Sequence, residues 1–174
     1  MAQEQGQYFD NIPTLNVEGA KAILKNGIAT AELIEVSGFL VVYSRTGMQE
    51  VSQATGPLAR PAHVEIAQAK AASVLNMRKS NRKLAEWLLG YRPGFRPEDF
   101  AGQIRSLLPG GVAIFDSEDA RTRKFIGAVA FSGGEPEEDE HICVNGIFLS
   151  RLYSDITKAE SLKLYEDFKN LQGN

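Results

Sequence analysis

The chain has 174 residues, of which 43% are apolar and 24% charged, with 19 basic and 22 acidic side chains and one cysteine. A chain of this length buries about 70% of its unfolded surface, so one domain can form a core without disulfides or a metal. A formal charge of −3 gives no electrostatic footprint for a nucleic acid or an anionic membrane, and a lone Cys143 excludes an intrachain disulfide.

The N-terminal segment is polar and leads into Pro13, which predicts a flexible arm over residues 1–14. It lacks the basic and apolar regions of a secretory signal, and no apolar run approaches the roughly 20 residues of a membrane span. We therefore expect a soluble, cytoplasmic protein that binds neither nucleic acid nor membrane.

Hydrophobic periodicity predicts one helix and two strands in the first part of the chain. Asn16 is a suitable N-cap for a helix whose apolar residues recur at helical spacing as far as Ala31. The apolar run Phe39–Tyr43 predicts a buried strand, Gly47 a turn, and Met48–Gln53 an antiparallel return strand.

Helices dominate the middle of the chain. Pro61 predicts the start of an alanine-rich helix, and Ser80–Asn81 re-caps the chain for one or two further helical turns. The prolines and glycines of Gly90–Pro97 predict a surface loop, and Pro97–Leu107 a short helix.

The last third repeats the alternation of strands and helices. Strands are predicted at Val112–Phe115 and Phe125–Phe131, followed by a helix from Pro136 through Leu152 and an amphipathic helix from Ser154 or Asp155 to about Leu171. Two hairpins with flanking helices predict an α+β domain in which helices cover an antiparallel sheet.

The tract Ser132-Gly133-Gly134 before a helix start is the most suggestive site signal. Glycines let a ligand approach the backbone closely, and the N–H groups at a helix start bind anions. Five acids lie within Glu135–Glu140, and their simplest interpretation is that they complement the helix dipole.

Titratable residues supply further candidates. Glu137, Glu138 and His141 share a helical face in pairs, but no second histidine lies nearby to complete a metal-binding set, so we predict no metal site. His63 and Lys70 lie seven residues apart on one helix and could together line a cleft. Lys70 sits in an alanine-rich stretch, where it either extends along the sheet to solvent, with His63 facing solvent too, or has a partner for which the acids after Gly134 are candidates.

Three stretches resemble the GlcG/HbpS-like family, also called the haem-degrading domain. They are the strand Phe39–Tyr43, the helix Val64–Ala71 containing Lys70, and the segment from Pro109-Gly110-Gly111 through Ser132-Gly133-Gly134 to Asp139-Glu140. The resemblance covers about residues 15–150. It implies a profilin-like α+β fold for a single domain at 15–152, followed by a C-terminal helical extension at 153–174.

The resemblance implies a homo-oligomer that binds a small molecule, with haem or another planar organic ligand as the cofactor or cargo. Carried over by position, the resemblance implies a pocket lined or shaped by Lys70, Gly111, Ser132, Gly133, Gly134, Asp139 and Glu140. Tyr43 is added to this set because it stands where the family has an aspartate.

An alternative function stays open because the chain departs from the family pattern. Gln53-Ala54-Thr55-Gly56 stands where the family has an Arg-x-Asp-Gly-like loop, and neither histidine can be assigned as an axial haem ligand from that pattern. The alternative is a cofactor-independent isomerase, cyclase or lyase in which acid/base residues move protons on an organic substrate. The candidates for catalysis are His63, Lys70, Asp139, Glu140 and His141, with Tyr43 beside them.

Overall fold

The computed structural model describes residues 13–91 and 103–173, in which helices cover both faces of a four-stranded sheet. The elements in chain order are α1 (Val17–Leu33), β1 (Gly38–Ser44), β2 (Gln49–Thr55), α2 (Pro61–Met77), α3 (Asn81–Tyr91), β3 (Gly111–Phe115), β4 (Phe125–Ser132), α4 (Pro136–Leu149) and α5 (Lys158–Gln172). The α+β prediction with an antiparallel sheet flanked by helices is confirmed.

The sheet has the order β2-β1-β4-β3, and every neighbouring pair is antiparallel. The predicted hairpins β1–β2 and β3–β4 are both present, and they join through the pairing of β1 with β4, in which Val42 faces Val129. Strands β3 and β4 are buried along their whole length, whereas β2 is an edge strand that is mostly accessible. A strand buried on both faces is apolar throughout, which explains the continuous hydrophobic runs in the sequence.

The two faces of the sheet carry different cores because successive side chains of a strand point to opposite sides. One face carries Leu40, Val42 and Phe131 and packs on α1 and α4. The other carries Val41 and Ala130 and packs on the small residues of α2. No helix in the described ranges is long and apolar enough to cross a bilayer.

Three predicted helix starts are confirmed, the first of them with its cap. The Asn16 side chain accepts a hydrogen bond from the Gly19 N–H at 2.8 Å, and α2 begins at Pro61. The third start, Pro136, is confirmed as the first residue of α4. Proline is well suited to this position because its missing N–H would have no partner inside the helix.

Two predicted boundaries near the C-terminus are wrong. Helix α4 ends at Leu149 instead of Leu152, because Arg151 adopts a left-handed conformation with φ 60° and Tyr153 pairs with Phe115 at the edge of the sheet. Helix α5 begins at Lys158, after the N-cap Thr157, and not at Ser154 or Asp155. The Asp155 carboxylate instead accepts hydrogen bonds from Ser80, which ties it to the start of α3.

The region between α3 and β3 also departs from prediction. Helix α3 continues to Tyr91, two residues into the predicted loop, and is longer than the one or two turns expected. The rest of that loop and residues 97–102 of the predicted short helix lie outside the described residues. Residues 103–107 are not helical. Their backbone bonds to neighbouring side chains instead: Ser73 Oγ accepts from the N–H groups of Arg105 and Ser106, and Asn81 Nδ2 donates to the Ser106 carbonyl.

Candidate functional site

The turn from β4 into α4 forms one wall of a surface cleft of about 530 Å³. Gly133 and Gly134 contribute the backbone of this wall, and a side chain at Gly133 would collide with the carbonyl of Ser37. Since Gly133 also has φ 153°, both its conformation and its packing require glycine. The close approach of this turn to the start of β1 shapes the inner end of the cleft.

The other walls of the cleft come from distant parts of the chain. The corner after α1 supplies Ile34, Glu35 and Val36, the segment before α2 supplies Leu58 and Arg60, and α2 itself supplies His63. Helix α5 contributes Lys169, whose Nζ lies 2.8 Å from Glu138 Oε1 in α4. The cleft is thus assembled from four separate segments and carries both signs of charge.

The N–H groups of Gly134 and Glu135, which lead into α4, are not free to bind an anion. The Gly134 N–H donates to Asp139 Oδ1 at 2.8 Å, and the Glu135 N–H donates to Glu138 Oε2 at 3.0 Å. Carboxylates of the helix therefore satisfy these two donors. The acids act here as a cap, which is the simpler of the two interpretations that the sequence allowed.

Lys70 and Asp139 form a buried ion pair beneath this turn. Lys70 Nζ lies 2.6 Å from Asp139 Oδ2 and donates to the Phe131 carbonyl at 3.1 Å, and each side chain is only 3% exposed. Burial raises the pKa of Asp139 to about 6, against the opposing effect of Lys70 and the Gly134 N–H. The predicted partner of Lys70 among the acids is thus Asp139, and the pair is enclosed.

Gly110 shows how tightly this ion pair is enclosed. Its φ is 108°, and an added Cβ would lie 2.6 Å from Asp139 Cβ and 2.8 Å from Lys70 Nζ. The neighbouring Gly111 is equally constrained, because a side chain there would collide with Asn81 Oδ1. Gly111 therefore serves close packing between β3 and α3 and does not line the cleft.

Glu140 and His141 point to other surroundings. Glu140, 1% exposed, is held by Arg82 Nε at 3.0 Å, and burial raises its carboxyl pKa against the effect of Arg82. The His141 ring stacks on Tyr165 of α5 with centroids 4.4 Å apart, and burial together with Lys158 lowers its pKa.

The remaining predicted residues are spread over the sheet. Tyr43 is half-buried in β1, where burial raises its pKa, and Ser132 is buried at the end of β4. Of all the predicted site residues, the cleft brings together His63, Gly133 and Gly134. The sequence patterns did not predict three residues of the cleft, which are Arg60, Glu138 and Lys169. For Arg60 a local signal exists, since this residue precedes the proline that starts α2; for the other two we find none.

Metal binding receives no support from the described ranges, since no three histidine, cysteine or acidic side chains in them group around a common point. Cys143 is fully buried, with a thiol pKa raised well above its usual value by burial, and its Sγ lies 3.4 Å from the Gly110 carbonyl. Such a thiol is packed and unreactive.

The fold and the cleft together define a small α+β domain with a ligand-sized cleft at a strand-to-helix turn. The model of the family described as haem degrading protein HbpS-like matches residues 15–147, and the chain belongs to this family. The match ends before α5, so Lys169 comes from outside the matched region. A comparison with curated proteins finds no match.

Solved structures share the fold at low sequence identity. PduOC, whose structure was solved as a haem complex, is similar with a TM-score of 0.67 and 20% identity over 81% of this chain and 98% of that one. HbpS has a TM-score of 0.63 and 20% identity over 78% and 89%. Klebsiella pneumoniae protein ORFY has a TM-score of 0.67 and 21% identity over 81% and 93%.

Proposed function

We propose that this protein binds a small organic molecule in the cleft between the β4–α4 turn and the start of α2. The observation that carries the proposal is the cleft itself, whose volume of about 530 Å³ falls in the range of ligand sites. Its lining combines apolar side chains such as Leu58 and Val36 with the polar groups of Arg60 and His63. That combination provides an apolar surface together with a few orienting contacts.

A planar organic ligand, with haem among the candidates, is supported by membership of the HbpS-like family and by the likeness to PduOC. The described residues do not, however, fit the axial ligation of a haem iron. His63 Nδ1 accepts the Arg60 N–H at 3.2 Å, and His141 lies 8% exposed against Tyr165, outside the cleft. We therefore propose binding of the organic part and derive no step through iron.

The alternative of an acid/base enzyme has less geometric support. Lys70 and Asp139 bond to each other, Glu140 bonds to Arg82, and His141 packs under α5. General acid/base catalysis needs its groups within hydrogen-bond reach of one substrate. Of the catalytic candidates only His63 lines the cleft, which favours binding over proton transfer as the proposed function.

Titration with hemin and with metal-free protoporphyrin IX tests the proposal. We expect a saturable 1:1 change in the Soret band, with chemical-shift changes at the Gly133 and Gly134 amides. Leu58→Ala removes an apolar contact worth about 1 kcal/mol and should weaken binding about fivefold. Leu149→Ala, at an exposed leucine outside the cleft, is the matched control and should have no effect. No saturable change with either porphyrin, or equal affinity in both variants, would contradict porphyrin binding in this cleft.

Two further expectations stay predictions, the first from the family resemblance and the second from the patterns of the sequence. They are a homo-oligomeric state and a cytoplasmic location. Light scattering of the purified full chain measures its mass in solution, and a mass equal to one chain at micromolar concentration contradicts the oligomer. Fractionation of cells that express the chain tests the location.

A further inference from the structure

The start of α2 forms a corner between two concave surfaces. Arg60 lines the cleft and also a second groove of about 340 Å³, which is lined by apolar residues including Phe39, Ala54 and Val64. Phe39 and Ala54 are cross-strand partners of β1 and β2. Arg60, an exposed cation, therefore stands between the cleft and an apolar groove on the sheet.

Arg60 is the cleft cation whose charge is not already paired. Lys169 is held by Glu138 at 2.8 Å, whereas no carboxylate in the described parts of the chain lies within ion-pair distance of Arg60. Among the described residues, the other unpaired charge that lines the cleft is Glu35, which follows α1 and does not line the groove beside Arg60. An anionic group is consequently favoured at the corner and disfavoured near Glu35.

His63 is set up as a hydrogen-bond donor at the same corner. Its Nδ1 accepts the Arg60 N–H, so this nitrogen carries no proton. In a neutral imidazole the proton then resides on Nε2, which can donate a hydrogen bond. The same tautomer leaves no lone pair on Nε2 for a metal. Within the described residues, no side chain or carbonyl accepts from Nε2.

We propose that this corner selects apolar organic carboxylates, with the carboxylate held by the Arg60 guanidinium and the His63 Nε2–H and the apolar part lying along the groove at Phe39 and Val64. The inference rests on the proposed function, because the cleft and the groove share Arg60, and it names the ligand class of the corner between them. Guanidinium binds carboxylate through two parallel hydrogen bonds, and a neighbouring neutral donor adds direction. A free carboxylate, not a metal, is the feature recognised.

Three probes separate the contributions of the ligand. We use 2-naphthoate, the uncharged 2-naphthamide and acetate, each titrated into the full chain and followed by amide chemical shifts. By ordinary ligand efficiency 2-naphthoate should bind in the millimolar range. The amide and acetate should each bind at least tenfold more weakly, because one lacks the charge and the other lacks the apolar part.

Variants at the corner separate its two polar groups. Arg60→Gln should weaken 2-naphthoate about fivefold to tenfold, while Arg121→Gln, in an exposed loop, is the matched control and should leave binding unchanged. Glutamine and glutamate at position 63 both keep an acceptor for the Arg60 N–H. His63→Gln keeps a donor and should bind within about threefold of the original chain, whereas His63→Glu loses the donor, adds negative charge and should lose measurable binding.

A ligand-free measurement tests the tautomer directly. Long-range ¹H–¹⁵N spectra should show His63 protonated on Nε2 at pH 8. Two spectroscopic results would each overturn the inference: protonation of His63 on Nδ1, or a histidine-ligated hemin spectrum that His63→Gln abolishes. Two binding results would also overturn it: equal binding of naphthoate and naphthamide, or no saturable chemical-shift change at the corner. Porphyrin binding that weakens in Leu58→Ala while naphthoate fails would leave the proposed function intact. Saturable binding of 2-naphthoate without binding of either porphyrin would support this inference and contradict the porphyrin as the planar ligand.

Discussion

Replacing Lys70 by methionine would leave the Asp139 carboxylate buried without its cation. Methionine fills the volume of the lysine stem, so the change removes the charge and the hydrogen bonds to Asp139 and to the Phe131 carbonyl with little change in packing. Removing one partner of a buried pair costs about 3–5 kcal/mol. For a domain of this size that loss lowers the melting temperature by about 6–20 °C.

The pH dependence distinguishes electrostatics from simple loss of packing. Burial raises the pKa of Asp139 to about 6 in the folded chain, above the value of about 3.9 for an unfolded aspartate. A raised acid pKa means that the folded state binds the proton more tightly, so this group favours folding most below pH 4 and loses that contribution as the pH rises through 6. At pH 5, below the raised pKa of about 6, Asp139 is mostly protonated in the original chain, so less charge is left without a partner and the cost of Lys70→Met should shrink by at least half.

The assay is urea unfolding at pH 8 and pH 5, followed by circular dichroism. Asp139→Asn is a second variant: it removes the titrating group, and its stability should change less between pH 4 and pH 7 than that of the original chain. Lys163→Met, at an exposed pair on α5, is the control and should leave stability unchanged. A Lys70→Met cost below about 1 kcal/mol at pH 8, or an equal cost at both pH values, would refute the reasoning.

Three further substitutions test other features of the structure. Gly110→Ala should cost more than about 2 kcal/mol in thermal unfolding, because the positive φ at Gly110 combines with a clash against the buried ion pair. Gly47→Ala, at a positive φ in open space, is the control and should cost about 1 kcal/mol. Equal costs would contradict the clash. Burial lowers the pKa of His141, so the folded state favours the neutral ring and loses stability as the pH falls below 6.5. His141→Phe keeps the aromatic stacking and removes this titration, so the loss of stability should become smaller. An unchanged slope of stability between pH 7 and pH 5 would count against this. Arg82→Met should cost about 2–4 kcal/mol in urea unfolding, because it leaves the buried Glu140 carboxylate without its cation. Adding Glu140→Gln should restore part of the lost stability. Purely additive costs would show that the two residues do not interact.

Local sequence signals predicted much of the secondary structure. Pro61, Pro136 and Asn16 mark helix starts because their chemistry suits the first helical positions wherever the chain folds. The signals failed where tertiary contacts replaced local ones. Residues 103–107 bond to Ser73 and Asn81 instead of forming a helix turn, and no pattern within that segment indicates it.

The acids of Glu135–Glu140 show what the sequence alone determined about the site. Their clustering at a helix start follows from composition and the proline, and capping of the helix was the simplest expectation. Successive helical residues, however, point about 100° apart. Glu138, Asp139 and Glu140 therefore face three different surroundings.

The partners of these acids were decided by the tertiary structure. They are Lys169 for Glu138, Lys70 for Asp139 and Arg82 for Glu140, which lie 31, 69 and 58 residues away along the chain. No local pattern encodes such pairings, because they depend on where the fold places α2, α3 and α5 relative to the start of α4. The cleft is decided in the same way: the sequence determined its glycine wall, and only the packing of distant segments brought Arg60 and His63 opposite it.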